Sequence, residues 1–182
     1  MALSLKPLAA LLPRHRKEPQ GDKLYGAIVA RARLPTFYQG FGVPDSLEGR
    51  FVILSLHLFA VLHRLGHGGG AEPMAMAQDL ADCFAADMET VLRELGVGDL
   101  RVPKKVRILV ASGAEQLESF ERALGTGETA LTTAIAAALP GDEVSAKAAS
   151  TRLTPYVVRM VQHLESEPLR DICAGTVRFP KI

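Results

Sequence analysis

At 182 residues and 19.5 kDa the chain is long enough for one domain that buries roughly 70% of its unfolded surface, and short for two. Its 48% hydrophobic content excludes a disordered chain, and 50 Ala plus Leu against 20 Val plus Ile favours helix over sheet. A net charge of +1 creates no global field for DNA or an anionic membrane, and Cys83 and Cys173, ninety residues apart, form neither a CxxC motif nor a Cys/His cluster, which fits a reducing compartment.

Residues 1–20 differ in character from the rest and are read as a flexible N-terminal segment ahead of a helical domain over 21–182. Met1 to Lys17 has no acidic residue, carries five leucines and ends in Arg14-His15-Arg16-Lys17. The five-residue apolar stretch between Pro7 and Pro13 is too short for a signal peptide, and no small-residue cleavage site follows. A solvated tail is expected, with a membrane-surface contact as the second reading.

A helix is predicted from Asp22 to about Arg33, stopped by Pro35. Gly42-Val43-Pro44 makes a turn, Asp45 or Ser46 caps a second helix to about Leu65, and Glu48 can reach back to the open donors. Leu47, Phe51, Leu54, Leu58, Val61 and Leu65 form one stripe, while Val52, Leu56 and Phe59 cover the other side, the pattern of a central helix or of one whose second face awaits a partner. The apolar run Phe51 to Leu62 is well below the ~20 residues of a membrane span. Gly66 to Gly70 reads as a loop, and Pro73 opens a helix with Met76, Leu80, Phe84, Met88, Val91 and Leu95, closed by Gly96. Pro103 starts another through Val106, Leu109, Val110, Leu117, Phe120 and Leu124, with Gly113 loosening its middle and Gly125 and Gly127 ending it. Glu128 to Leu139, Asp142 to about Ala149 and Pro155 to Glu165 complete an all-α reading, Thr154 and Pro155 serving as cap and first-turn pair.

Few residues carry chemistry. The glycines at 66–70 lack a preceding strand and a Lys-Ser or Lys-Thr pair, so they are no phosphate cradle. His63 and His67 have metal-ligand spacing, but His67 falls where the helix should have ended, so no metal or cofactor is expected. No serine or cysteine sits in a nucleophile signature, and no enzyme is expected. Asp87 projects into the apolar stripe of Leu80, Phe84 and Val91, where an unpaired carboxylate is costly. A polar network joining Asp87 to His57 or to an arginine is expected to satisfy it. Arg93, Lys104, Lys105 and Arg107 concentrate positive charge locally, suited to an acidic partner, lipid headgroups or RNA phosphate, although no interleaved aromatics offer base stacking.

Tyr38-Gln39-Gly40-Phe41-Gly42-Val43-Pro44-Asp45-Ser46-Leu47-Glu48-Gly49-Arg50-Phe51, then Leu56-His57-Leu58 and Arg64-Leu65, are followed by Phe84-Ala85-Ala86-Asp87-Met88-Glu89. Next come Leu92-Arg93-Glu94-Leu95-Gly96-Val97-Gly98-Asp99-Leu100 and Val102-Pro103-Lys104-Lys105-Val106. In this order these motifs resemble the ubiquinol-cytochrome c chaperone family, in its bacterial branch, from about Leu24 to Leu109. Tyr156-Val157-Val158 and Gly175-Thr176-Val177-Arg178-Phe179-Pro180 resemble it again, whereas Ala111 to Gln116 lacks the family's aromatic-Gly-Arg element. The resemblance implies a helical, non-enzymatic assembly factor for respiratory complex III whose client is newly made cytochrome b. Other assembly factors are further partners in that picture. Residues for the second factor or the ribosome contact of mitochondrial relatives find no match here.

The matched motifs make Tyr38, Val43, Asp45, Arg50, Arg93, Lys104 and Lys105 the candidate partner-binding residues. The implied location is cytoplasmic, with a peripheral contact on the inner face of the inner membrane, the matrix side in mitochondria. Two other readings compete: a haem or cofactor handler acting through His57, His63 or Met88, and a helical adaptor for an unrelated partner.

Overall fold

The computed structural model describes residues 19–182, so the reading of residues 1–18 as a tail lies outside it. Among the described residues there are eight helices and no strand. They are α1 (Pro19–Ala32), α2 (Thr36–Gln39), α3 (Leu47–Gly68), α4 (Ala71–Glu94), α5 (Val102–Thr126), α6 (Glu128–Ala138), α7 (Glu143–Ser166) and α8 (Leu169–Cys173). The all-α expectation holds.

The central element is α3. Ser46 caps it by accepting a hydrogen bond from the Gly49 amide at 3.1 Å, and residues 52–62 are buried without interruption. Its two apolar faces are both covered, since α1, α4, α5, α7 and α8 pack around it. At 22 residues α3 is longer than its apolar run suggested, and its length and composition suit a membrane span, but 67% of that window is buried inside the bundle, as in a core helix. The helix does not stop at Leu65. It continues through Gly68, which sits so close to Leu169 that a Cβ there would lie 2.3 Å from a Leu169 methyl, and the turn is confined to Gly69 and Gly70, both at positive φ.

The level of each helix follows from its ring contacts. Phe51 meets Phe84 at 5.9 Å between ring centroids, and Gly113 lies against both rings. Further along, Phe59 packs on Phe120, so α3 and α5 run parallel, with α4 antiparallel between them. Gly113 therefore does not loosen α5: the helix is continuous across it, with both phenyl rings packed alongside.

The two helices expected over 142–149 and 155–165 are one. Pro155 lies inside α7, where it withholds one backbone donor, yet Tyr156, Val157, Met160, Val161 and Leu164 bury the turns that follow. Asp142 rather than Thr154 is the cap, accepting from the Ser145 amide at 2.9 Å. Thr154 instead donates to the Ser150 carbonyl at 2.8 Å.

After α8 the chain turns at Gly175 (φ +79°), where a Cβ would sit 2.7 Å from the Gln20 carbonyl oxygen. The last residues then lie along α1, where Lys23 donates to the Thr176 hydroxyl at 3.1 Å and Arg31 to the Pro180 carbonyl.

Candidate functional site

His57 is 1% exposed and has both ring nitrogens in use. Its Nδ1–H donates to the Ile53 carbonyl at 2.7 Å, so Nε2 accepts from the Tyr156 hydroxyl at 3.0 Å. That hydroxyl in turn accepts from Arg31 Nε at 3.2 Å. Phe37, Tyr156 and Phe179 pack around the imidazole with centroids 5.2–5.7 Å away. Burial is the main cause that lowers the His57 pKa, to about 4, so the ring is neutral. With no free lone pair, His57 is unavailable to a haem iron. Its role is to tie α1, α3, α7 and the C-terminal segment together.

Asp87 does not join this network, which corrects the expected contact. It is half-buried and accepts a hydrogen bond from the Tyr25 hydroxyl of α1 at 2.8 Å. Burial first, and then the Asp87 charge, raise the Tyr25 pKa. The stripe position foretold a partner, but tertiary packing of α1 on α4 supplied a phenol instead of an imidazole. Asp87→Ala leaves that phenol without its acceptor, and thermal denaturation is expected to show a loss of about 1–2 kcal/mol, which Tyr25→Phe largely relieves in the double variant.

Tyr38, Asp45 and Arg50 come together where α2 meets the start of α3. Arg50 Nε donates to Asp45 at 2.6 Å, the Arg50 guanidinium carbon stands 5.4 Å from the Tyr38 ring centroid, and Tyr38 donates to the Ala32 carbonyl at 2.8 Å. Arg50 is an exposed ion-pair member, and Ser46 rather than Asp45 is the helix cap. Val43, 2% exposed, is core, so it is placed to hold the turn and not to touch a partner.

The other three candidates sit on the α4–α5 tip. Because Phe51 is level with Phe84 and Gly113, residues 88–94 of α4 and 102–109 of α5 extend past the start of α3, for α5 by roughly 10 Å. Leu92 and Val102 are buried there, outside the main core. Arg93 donates to Glu89 at 2.8 Å and to Asp99, bracing the connection between the helices. Lys104 and Lys105 are exposed in the first turn of α5, between Arg101 and Arg107, which are exposed as well.

Sequence reasoning missed the apolar part of this tip. Leu100 is 99% exposed, Leu95 60% and Ile108 57%. The available signal was Ile108 itself, which falls off the face marked by Val106, Leu109 and Val110. The seven candidates thus divide into one core residue and two surface groups at the same end of the bundle, where apolar side chains and lysines are both exposed.

At the far end of α3, burial lowers the His63 pKa but the hydrogen bond and charge of Glu121 and the charge of Glu165 outweigh it, so the value is raised. Glu121 is lowered by the same hydrogen bond.

A family profile described as ubiquinol-cytochrome C chaperone matches residues 39–179, which takes in the motifs of the first half and those at Tyr156–Val158 and from Gly175 on. The crystal structure of the Cbp3 homolog from Brucella abortus is 32% identical and superposes with a TM-score of 0.78, covering 91% of each chain. No curated protein gives a comparable match. With most of its length matched by the profile and nearly all of it by a related crystal structure, the chain belongs to the ubiquinol-cytochrome C chaperone family.

Proposed function

We propose that this chaperone of complex III assembly holds newly made cytochrome b through the α4–α5 tip, at the inner face of the membrane into which that subunit inserts. Family membership supports the coarser part, a binding rather than catalytic role in the biogenesis of ubiquinol-cytochrome c reductase. The observation that carries the finer part is the exposure of Leu95, Leu100 and Ile108 on a projection braced by Arg93. A chaperone must shield apolar segments that would otherwise aggregate, and apolar side chains held in water by a short projection do so at little cost to its own core. Lys104 and Lys105 add attraction to an anionic leaflet, about 1 kcal/mol for each cation near the surface.

The test uses a host lacking its own copy. With the native chain, crosslinking and mass spectrometry should place cytochrome b on the tip, and complex III should be restored. Leu100→Asp combined with Ile108→Asp should abolish the crosslink and cut assembled complex III at least about fivefold with an unchanged melting temperature, since neither side chain is buried. Full restoration by that variant would sink the assignment of the tip. Lys104→Glu with Lys105→Glu should reduce cosedimentation with anionic vesicles.

A further inference from the structure

Because α3 continues through Gly68, His63 and His67 lie on one face of successive helical turns, with ring centroids 4.2 Å apart. The neighbouring helices bring carboxylates to them. From α5, Glu121 Oε2 lies 2.8 Å from His63 Nδ1, and from α7, Glu165 Oε1 lies 3.6 Å from His63 Nε2. One donor atom from each of His63, His67 and Glu121 falls within 4.8 Å of the others.

The hydrogen bond of His67 already orients that ring for ligation. His67 Nδ1–H donates to the His63 carbonyl at 2.9 Å, which leaves the lone pair on Nε2. His63 Nδ1–H donates to Glu121 Oε2 at 2.8 Å, so a metal ion would take the place of that proton on Nδ1, with the Nε2–H kept toward Glu165. Ligating imidazoles characteristically donate their second N–H to a backbone carbonyl or a carboxylate, and both kinds of partner are present.

We propose that His63, His67 and Glu121 form a binding site for a divalent transition-metal ion of the zinc class, with Glu165 as a positioning residue behind His63. Two neutral imidazoles and two carboxylates carry a charge of −2, which a divalent ion neutralises. Paired imidazoles select against magnesium and calcium, which take oxygen ligands. Bonds of about 2.0–2.1 Å in a tetrahedral site set donor atoms roughly 3.3 Å apart. Closing from the observed spacing needs rotation of His67, which is exposed, and of Glu121, whose side chain is 28% exposed, with the backbone left in place. His63, 9% exposed, is the fixed member. The fourth position falls to water. The ion would join α3 to α5 beside α7, at the end of the bundle opposite the α4–α5 tip, so the site stands apart from the client surface.

The experiment is a zinc titration of the full, untagged, chelator-treated chain by calorimetry, with cobalt absorption as a second reading of the ligand geometry. One equivalent per chain is expected, with a higher melting temperature in zinc than in chelator. His67→Ala and Glu121→Gln should each weaken binding at least about tenfold. Because His67 is exposed, its alanine variant should melt like the native chain when metal-free, which separates lost ligation from lost folding. His163→Ala, which removes an imidazole facing Glu167, and His15→Ala should leave the isotherm unchanged. A flat titration, or an isotherm that His67→Ala and Glu121→Gln leave within a factor of about two, overturns the site.

Discussion

Gly49→Ala should destabilise the fold by about 3 kcal/mol, a fall of roughly 6–12 °C in Tm for a chain of this size, although it replaces a helical glycine by the best helix former. Helix propensity alone predicts a gain of about 1 kcal/mol. Geometry reverses the sign. A Cβ on Gly49 would stand 2.0 Å from the Pro44 carbonyl oxygen and 3.3 Å from a Val43 methyl, and the nearer obstacle is backbone that cannot rotate away. Either the first turn of α3 or the turn before it must move, and with it the Ser46 cap and the Asp45–Arg50 pair. Gly66→Ala is the internal control, because a Cβ there meets nothing within 4 Å. It should gain up to about 1 kcal/mol by chemical denaturation. Equal responses at the two positions would show that propensity, and not the close approach to Pro44, governs the start of α3.

Acid should remove about 3 kcal/mol through His57 alone. In the unfolded chain this imidazole takes up a proton below its ordinary value of 6.5, whereas in the fold it resists until about 4. The unfolded state therefore binds more protons across that window, and stability falls as pH drops through it. Burial sets the shift, with Arg31 adding to it and the bond to Ile53 opposing it. The native chain should exceed His57→Gln in stability by about 2–3 kcal/mol near neutrality, where the relay to Tyr156 is intact, and the gap should close as pH 4 is approached. Parallel stability curves for the two proteins would exclude His57 as the acid-sensitive group.

Local signals located most of the helices and not their partners. The stripes and punctuating glycines marked α1, α3, α4, α5 and α6, because periodicity and turn chemistry act over a few residues. The short helices α2 and α8, four and five residues long, carry too little periodic pattern to register. Pro155 misled because a proline after threonine also suits a helix start, and only burial of Tyr156 to Leu164 against the bundle shows that the helix continues through it. At the candidate site, Tyr38, Asp45 and Arg50 were legible as a motif and meet in space. Val43 has the same motif standing and lies in the core, since a motif does not distinguish inside from outside. The partners of Asp87 and His57 are 62 and 99 residues away in the chain, out of range of any local pattern.

The C-terminal segment on α1 bears on the order in which the molecule can be completed. Lys23 and Thr176 are 153 positions apart, and Arg31 and Pro180 are separated by 149. Contacts of such sequence separation form only after Thr176 and Pro180 have left the ribosome, and each closes a loop of about 150 residues. During synthesis the polar side of Arg31 and the aromatic surroundings of His57 wait without Phe179 and Pro180. Docking of Phe179 and Pro180 thus comes late and covers the buried imidazole, and a polypeptide truncated before Gly175 leaves that side of His57 open.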